Sequence, residues 1–213
     1  MSEKKQEPSI DALWVRAEGE AGRGDFSSLV STLRTLVDRG VWQLCSRIGE
    51  LYESGGHGLQ QDMVEAVRWY RKAIFEGDDP VAHVGLGRAY YNGSGVDRDS
   101  AQAVAHFEKA HRAGRPEAAL YLGMIYYREE QMGVDISRTR ALFEQAAQDG
   151  FPAAGAFLAK IAWSQGAYLR GAMLTIRSWL AVIRLTLKDP DDARLLGLHS
   201  NKQQARHLRP TQK

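Results

Sequence analysis

At 213 residues, 44% hydrophobic and 25% charged, the chain is apolar enough to bury a continuous core, which excludes disordered and fibrous classes. Its formal net charge of +2, nearly balanced along the sequence, argues against a nucleic-acid binder. Cys45 is the single cysteine, so no internal disulfide can form.

In chain order, residues 1–8 are charged and read as a loose tail. The opening MSEKKQEPSI lacks the apolar stretch of a secretory signal, so the cytoplasm is the default location. Ile10, Leu13, Trp14 and Ala17 fall at helical spacing, as do Phe26, Leu29, Val30, Leu33, Leu36 and Val37. Residues 9–40 are therefore expected to form a degenerate helix pair that caps the N-terminal end, closing at Gly40. A first unit follows at 41–79, with a loop Gly55-Gly56-His57-Gly58.

Residues 80–115 form the reference unit. Pro80 suits a first helical turn, and Ala82, Leu86, Ala89 and Tyr90 keep helical register, so a helix is expected from Pro80 to Tyr91. The stretch Asn92-Gly93-Ser94-Gly95-Val96 is a turn whose two glycines supply backbone angles other residues avoid. Asp99 is the expected N-cap of a second helix carrying Ala103, Phe107 and Ala110, and Gly114 its left-handed cap. The register recurs on both sides. Gly40, Gly77, Gly114 and Gly150 stand at spacings of 37, 37 and 36 residues. Ile48-Gly49, Leu86-Gly87 and Leu122-Gly123 correspond, as do Tyr52, Tyr90 and Tyr126. In the second helices Trp69-Tyr70, His106-Phe107 and Leu142-Phe143 correspond, and then Ala73, Ala110 and Ala146. Such a period signals stacked helix pairs, none of which buries its apolar face alone.

The pattern A-x3-L-G-x2-Y, a glycine-bearing turn with Gly-Val, an Asp, then A-x2-W/F-Y/F-x2-A and a closing glycine resembles the Sel-one-like repeat, a relative of the tetratricopeptide repeat. In the reference unit it is carried by Ala82, Leu86, Gly87, Tyr90, Gly93, Gly95, Val96, Asp99, Ala103, Phe107, Ala110 and Gly114. The resemblance covers about residues 41–166 and implies an all-α, right-handed superhelical solenoid of antiparallel helix pairs. A third unit spans 116–151, where Glu129 and Gln131 replace the turn glycines, so its turn is expected to differ in shape. Residues 152–198 are expected to hold a degenerate fourth repeat, with Leu158 and Ala159 in the Leu-Gly slots, and C-terminal capping helices; 199–213 read as a flexible basic tail. Some members of the resembled family staple each repeat with a disulfide; a lone cysteine cannot, which favours a reducing compartment.

The C-terminal part leaves the repeat pattern. Residues 171–187 are apolar nearly all round, apart from a narrow stripe of Arg170, Arg177, Arg184 and Lys188. Trp179, Ile183, Ile176, Leu187 and Leu180 form one broad apolar side, and Leu174 and Leu185 lie on the other flank. The apolar run is far shorter than the ~20 residues of a membrane span. One reading buries this helix on two sides, packed on the fourth repeat and covered by residues 191–198, with Asp189-Pro190-Asp191-Asp192 opening a second helix. The other makes Arg170, Arg177, Trp179, Arg184 and Lys188 a docking segment for an anionic membrane or a partner groove.

No catalytic signature is present. The six histidines show no metal-ligand spacing, the glycine-rich stretches lack a phosphate-binding lysine, and Cys45 sits within a repeat helix, so no cofactor, metal or enzyme activity is expected. A binding surface remains. First helices of such solenoids usually line the concave side, and positions outside the framework offer Arg47, Glu50, Arg88, Tyr91, Tyr121, Met124, Tyr127, Lys160 and Trp163 as candidate partner-binding residues. Tyr121, Met124, Tyr127 and Trp163 make the favoured group. The competing reading packs Tyr91, Tyr127 and Trp163 between neighbouring repeats. The function expected is a non-enzymatic adaptor or scaffold that binds a protein or peptide in the groove, the role the resemblance implies in bacterial envelope, secretion or signalling assemblies. A narrower form is an immunity-type or chaperone-type partner of a secreted effector, and the rival is a peripheral membrane adaptor.

Overall fold

The computed structural model describes residues 8–130 and 136–188, and every described element is helical. Two compact units divide it, the first reaching Arg98 and the second beginning at Asp99. The expected third turn around Gln131, the cover by residues 191–198 and both tails lie outside the described residues, apart from Pro8.

The first unit comprises α1 (Ile10–Arg23), α2 (Phe26–Asp38), a short 3-10 turn (Trp42–Leu44), α3 (Cys45–Ser54), α4 (Met63–Gly77) and α5 (Pro80–Asn92). Each start has a chemical cause. Ser9, Asp25, Asp62 and Asp79 accept from the backbone N–H of Ala12, Ser28, Glu65 and Val81, satisfying donors that have no intrahelical partner. The core joins Leu29, Leu33 and Leu36 of α2 to Ile48 and Leu51 of α3 and to Tyr70 of α4. Tyr70 is wedged where α3 and α5 approach it. A Cβ on Gly49 or Gly85 would come within 2.6 or 2.4 Å of its ring, so the glycines make room for the aromatic. Gly95 serves twice: its φ is +74°, and a Cβ there would strike the Met63 carbonyl at 2.3 Å.

Gly77 departs from the reading of an evenly spaced helix-ending glycine. It is the last residue of α4, and Asp78 takes the left-handed conformation at φ 49°. The reason for the glycine is contact, since a Cβ would lie 2.0 Å from the Trp42 ring.

The second unit comprises α6 (Ser100–Arg112), α7 (Pro116–Glu130), α8 (Ile136–Gln148), α9 (Pro152–Ser164) and α10 (Tyr168–Lys188). Asp99 caps α6 through the N–H groups of Ala101 and Gln102, as the sequence predicts. Phe143 fills the position that Tyr70 holds in the first unit, with Gly123 against its edge and Phe157 stacked on it at 4.7 Å. Phe107 stacks on Tyr121 in the same way, also at 4.7 Å. α10 starts three residues before the expected helix, packs on α9, and anchors through Ser178, whose hydroxyl donates to the Pro152 carbonyl at 2.7 Å. Its Leu174 and Leu185 flank is half-buried. Its broad apolar side is exposed and α9 packs on the other face; the residues expected to cover that apolar side, 191–198, lie outside the described residues.

Candidate functional site

The first-helix residues of the first unit are engaged with one another. Arg88 of α5 is buried and donates to Glu53 at 2.6 Å, while the Tyr70 hydroxyl donates to the same carboxylate oxygen at 2.6 Å. Burial, reinforced by the neighbouring Glu53 charge, holds the Tyr70 phenol well above its ordinary pKa, so it serves as a neutral donor. Arg47 pairs with Glu50 at 3.4 Å, and burial lowers the pKa of its guanidinium. Tyr91 is half-buried. Arg88, Tyr70 and Glu53 tie α3, α4 and α5 together.

In the second unit Tyr121 is only 8% exposed and its ring is spent on Phe107, which corrects the expectation that it presents a contact surface. Arg88 is corrected for the same reason, being consumed by Glu53. Tyr127 meets Phe143 and Phe157 edge-on at 6.4 and 5.6 Å, and Met124 is half-buried. Lys160 is exposed, with its ammonium 5.2 Å from the Phe157 ring centroid. Trp163 is 44% exposed and its indole abuts Gly171, where a Cβ would fall 2.1 Å away. Only Lys160 and Trp163 of the nine residues have exposed side chains.

A second place in this unit is set by the repeat register. Arg34 of α2 donates to the Tyr52 hydroxyl at 2.9 Å and to Glu65 of α4 at 2.7 Å, with its guanidinium over the Tyr52 and Trp69 rings. Glu108 of α6 accepts from the Tyr126 hydroxyl at 3.2 Å and from Arg138 of α8 at 3.0 Å. In both, a framework tyrosine and an ion pair bridge successive second helices. Glu144 and Arg170 occupy the same two slots one repeat later, 3.8 Å apart, but the tyrosine position is Ala162. The interval is also shorter: Arg170 follows Ala162 by eight positions, where Arg138 follows Tyr126 by twelve. Without the phenol a cleft of about 520 Å³ opens between α8, α9 and α10. Phe151, Leu158, Leu174 and Leu185 line it, together with Arg140, Arg170, Arg177 and Arg184. Arg140 donates to the Gln165 side chain. No carboxylate among the described residues pairs with Arg177 or Arg184.

Sequence reading singled out Arg170, Arg177 and Arg184 as a stripe but not the cleft beside them, nor Arg140. The available signal was Ala162, which breaks the column Tyr52, Tyr90, Tyr126. Of the other stripe residues, Trp179 and Lys188 are exposed on α10. Cys45 is buried and its thiol is pushed up to about 11 by desolvation, so it stays protonated at neutral pH. No cluster of candidate metal ligands occurs among the described residues, and no helix there is long and apolar enough to cross a membrane.

The Sel1 repeat family model matches residues 43–78, 80–114 and 116–151, half of the chain. Among solved structures, a Sel1 repeat protein from Oxalobacter formigenes is 21% identical, with a TM-score of 0.64 over 92% of this chain and 87% of that one. A protective antigen of uropathogenic Escherichia coli with an SLR fold is 22% identical, with a TM-score of 0.53; the match covers 92% of this chain and 52% of that one. An immunity protein from Pseudomonas aeruginosa is 18% identical, with a TM-score of 0.50 over 96% and 82%. At these identities the likeness is one of fold, an all-α repeat solenoid. A search of curated proteins found no match.

Proposed function

The chain belongs to the Sel1 repeat family, and from that membership we propose that it is a non-enzymatic protein-interaction module, an adaptor or scaffold that binds another protein through the end of the array formed by α9 and α10. One observation carries this reading. Most of the exposed large apolar side chains of the described residues, namely Tyr168, Leu169, Met173, Ile176, Trp179, Leu180, Val182 and Leu187, sit on the single helix α10. A contiguous apolar patch of this kind on a folded chain marks an interaction site. Trp163 and Lys160 of α9 extend it with an aromatic and a cation, residue types suited to interfaces. The first-helix residues Arg47, Glu50, Arg88 and Tyr91 contribute stiffness to the scaffold in this proposal. A narrower form makes the partner a secreted effector and this chain its immunity-type or chaperone-type companion.

The test is affinity capture from the source cells with three baits: wild type, Trp163→Ala with Lys160→Glu, and Ile176→Glu with Leu180→Glu. A protein captured stoichiometrically by wild type and lost with the α10 double variant supports the proposal. No stoichiometric protein on the wild-type bait, or full retention by both variants, refutes it.

A further inference from the structure

α10 carries a heptad pattern. Leu169, Met173, Ile176, Leu180, Ile183 and Leu187 recur at spacings of four and three residues, the a and d positions of a coiled-coil seam that runs ~27 Å along the helix. Ile183 is half-buried, and the other five are 54% to 86% exposed. In this register Arg170, Arg177 and Arg184 occupy every e position, ~10.5 Å apart. The opposite flank, the g positions, is Ala172, Trp179 and Thr186. There is no Asp or Glu anywhere in α10. The face turned away from the seam, with Gly171 and Ser178, packs on α9, so α10 is already anchored along that face.

We propose that this seam is one half of a two-helix coiled coil, and that its occupant is an amphipathic helix of a different protein, apolar at a and d and acidic at the heptad position facing Arg177 and Arg184, Arg170 being already paired with Glu144. The inference rests on the interaction-module reading above and names the chemistry of the partner. Charge selects the occupant. In an antiparallel pair of two copies the e arginines would face each other, and in a parallel pair they would face Ala172, Trp179 and Thr186; neither arrangement neutralises them, so a second copy is disfavoured. An acidic flank satisfies the row in either orientation. The open cleft matters here. Arg34 and Arg138 are consumed by framework bridges to Glu65 and Glu108, whereas Arg177 and Arg184 line a space left by Ala162 and keep their donors for an incoming carboxylate. A membrane surface fits less well. A helix lying in a lipid interface exposes a charged face to water opposite its apolar face, but here the opposite face is packed on α9 and the cations line one flank only.

The full chain is titrated, by fluorescence anisotropy, with two labelled helical peptides of three heptads, identical at a and d (Ile and Leu) and carrying Glu in one and Lys in the other at e and g. Wild type is expected to bind the Glu peptide about tenfold tighter than the Lys peptide. Arg177→Glu with Arg184→Glu, two exposed substitutions checked by circular dichroism, is expected to reverse the preference. Ile176→Glu with Leu180→Glu is expected to abolish binding of both. No binding of the Glu peptide, equal binding of both peptides, or an unchanged preference after charge reversal overturns the inference. Three further outcomes do the same: co-sedimentation with vesicles of mixed phosphatidylglycerol and phosphatidylcholine in the absence of Glu-peptide binding, a wild-type dimer in sedimentation equilibrium that Leu180→Glu dissociates, and capture of a cellular partner that survives charge reversal. The last leaves the interaction-module reading standing while removing this one.

Discussion

The bridge between second helices appears in a closed form and an open form. At Tyr52 and at Tyr126, a phenol and an arginine–carboxylate pair fill the space between neighbouring second helices. At Ala162 the ion pair of Glu144 and Arg170 persists at 3.8 Å, but the phenol is gone, the interval from the tyrosine slot to the ion-pair slot is four residues shorter, and a cleft opens. A repeat protein can thus create a surface by subtraction: the framework ion pair stays, one space-filling side chain is withheld, and Arg177 and Arg184 line the space that results. The same contrast separates α4 from α10. Tyr70 is fully buried between two glycine-bearing helices, whereas five of the six seam residues of α10 are exposed.

The largest expected effect lies on the closed side. Tyr70→Ala removes a fully buried aromatic and leaves Arg88 and Glu53 without their phenol, and is expected to cost about 3–5 kcal/mol in urea unfolding. Leu180→Ala on the open side is expected to change stability by less than about 0.5 kcal/mol. Equal losses would break the comparison. Next, Gly171→Val drives a branched side chain into the Trp163 indole and is expected to destabilise by about 1–3 kcal/mol, with Trp163 fluorescence shifting as the α9–α10 junction is displaced. Smaller still, Ala162→Tyr restores the missing phenol beside Glu144 and Arg170; it is expected to raise stability by about 1 kcal/mol in thermal unfolding while the cleft volume falls. The least perturbing check is chemical. With its thiol raised to about 11, native Cys45 is expected to resist an aromatic disulfide reagent at pH 8 and to react only after unfolding.

Much of the architecture was legible in the residues. Asp99, Gly93, Gly95 and Gly114 act at the positions their chemistry requires, because caps and left-handed turns depend on local sequence. Gly77 shows where local reasoning stops: its spacing matched the closing glycines, yet it is needed because Trp42 lies against it, a contact no local pattern announces. The candidate site divides similarly. The arginine stripe and the apolar side of α10 followed from helical angles alone. The fate of Arg88 and Tyr121 did not, since an arginine and a tyrosine at non-framework slots look alike whether they meet Glu53 and Phe107 or solvent. The cleft could have been anticipated from Ala162 in the tyrosine column, but its volume depends on where α10 settles after the shortened interval.

The central claim is that binding falls on the open end of the array. Hydrogen–deuterium exchange of the full chain, alone and with its captured partner, tests it most directly. The account predicts added protection in α10, strongest around residues 173–187, with α3 and α5 unchanged. Protection concentrated on Arg47, Glu50 and Tyr91 of α3 and α5, with α10 unaffected, would contradict it.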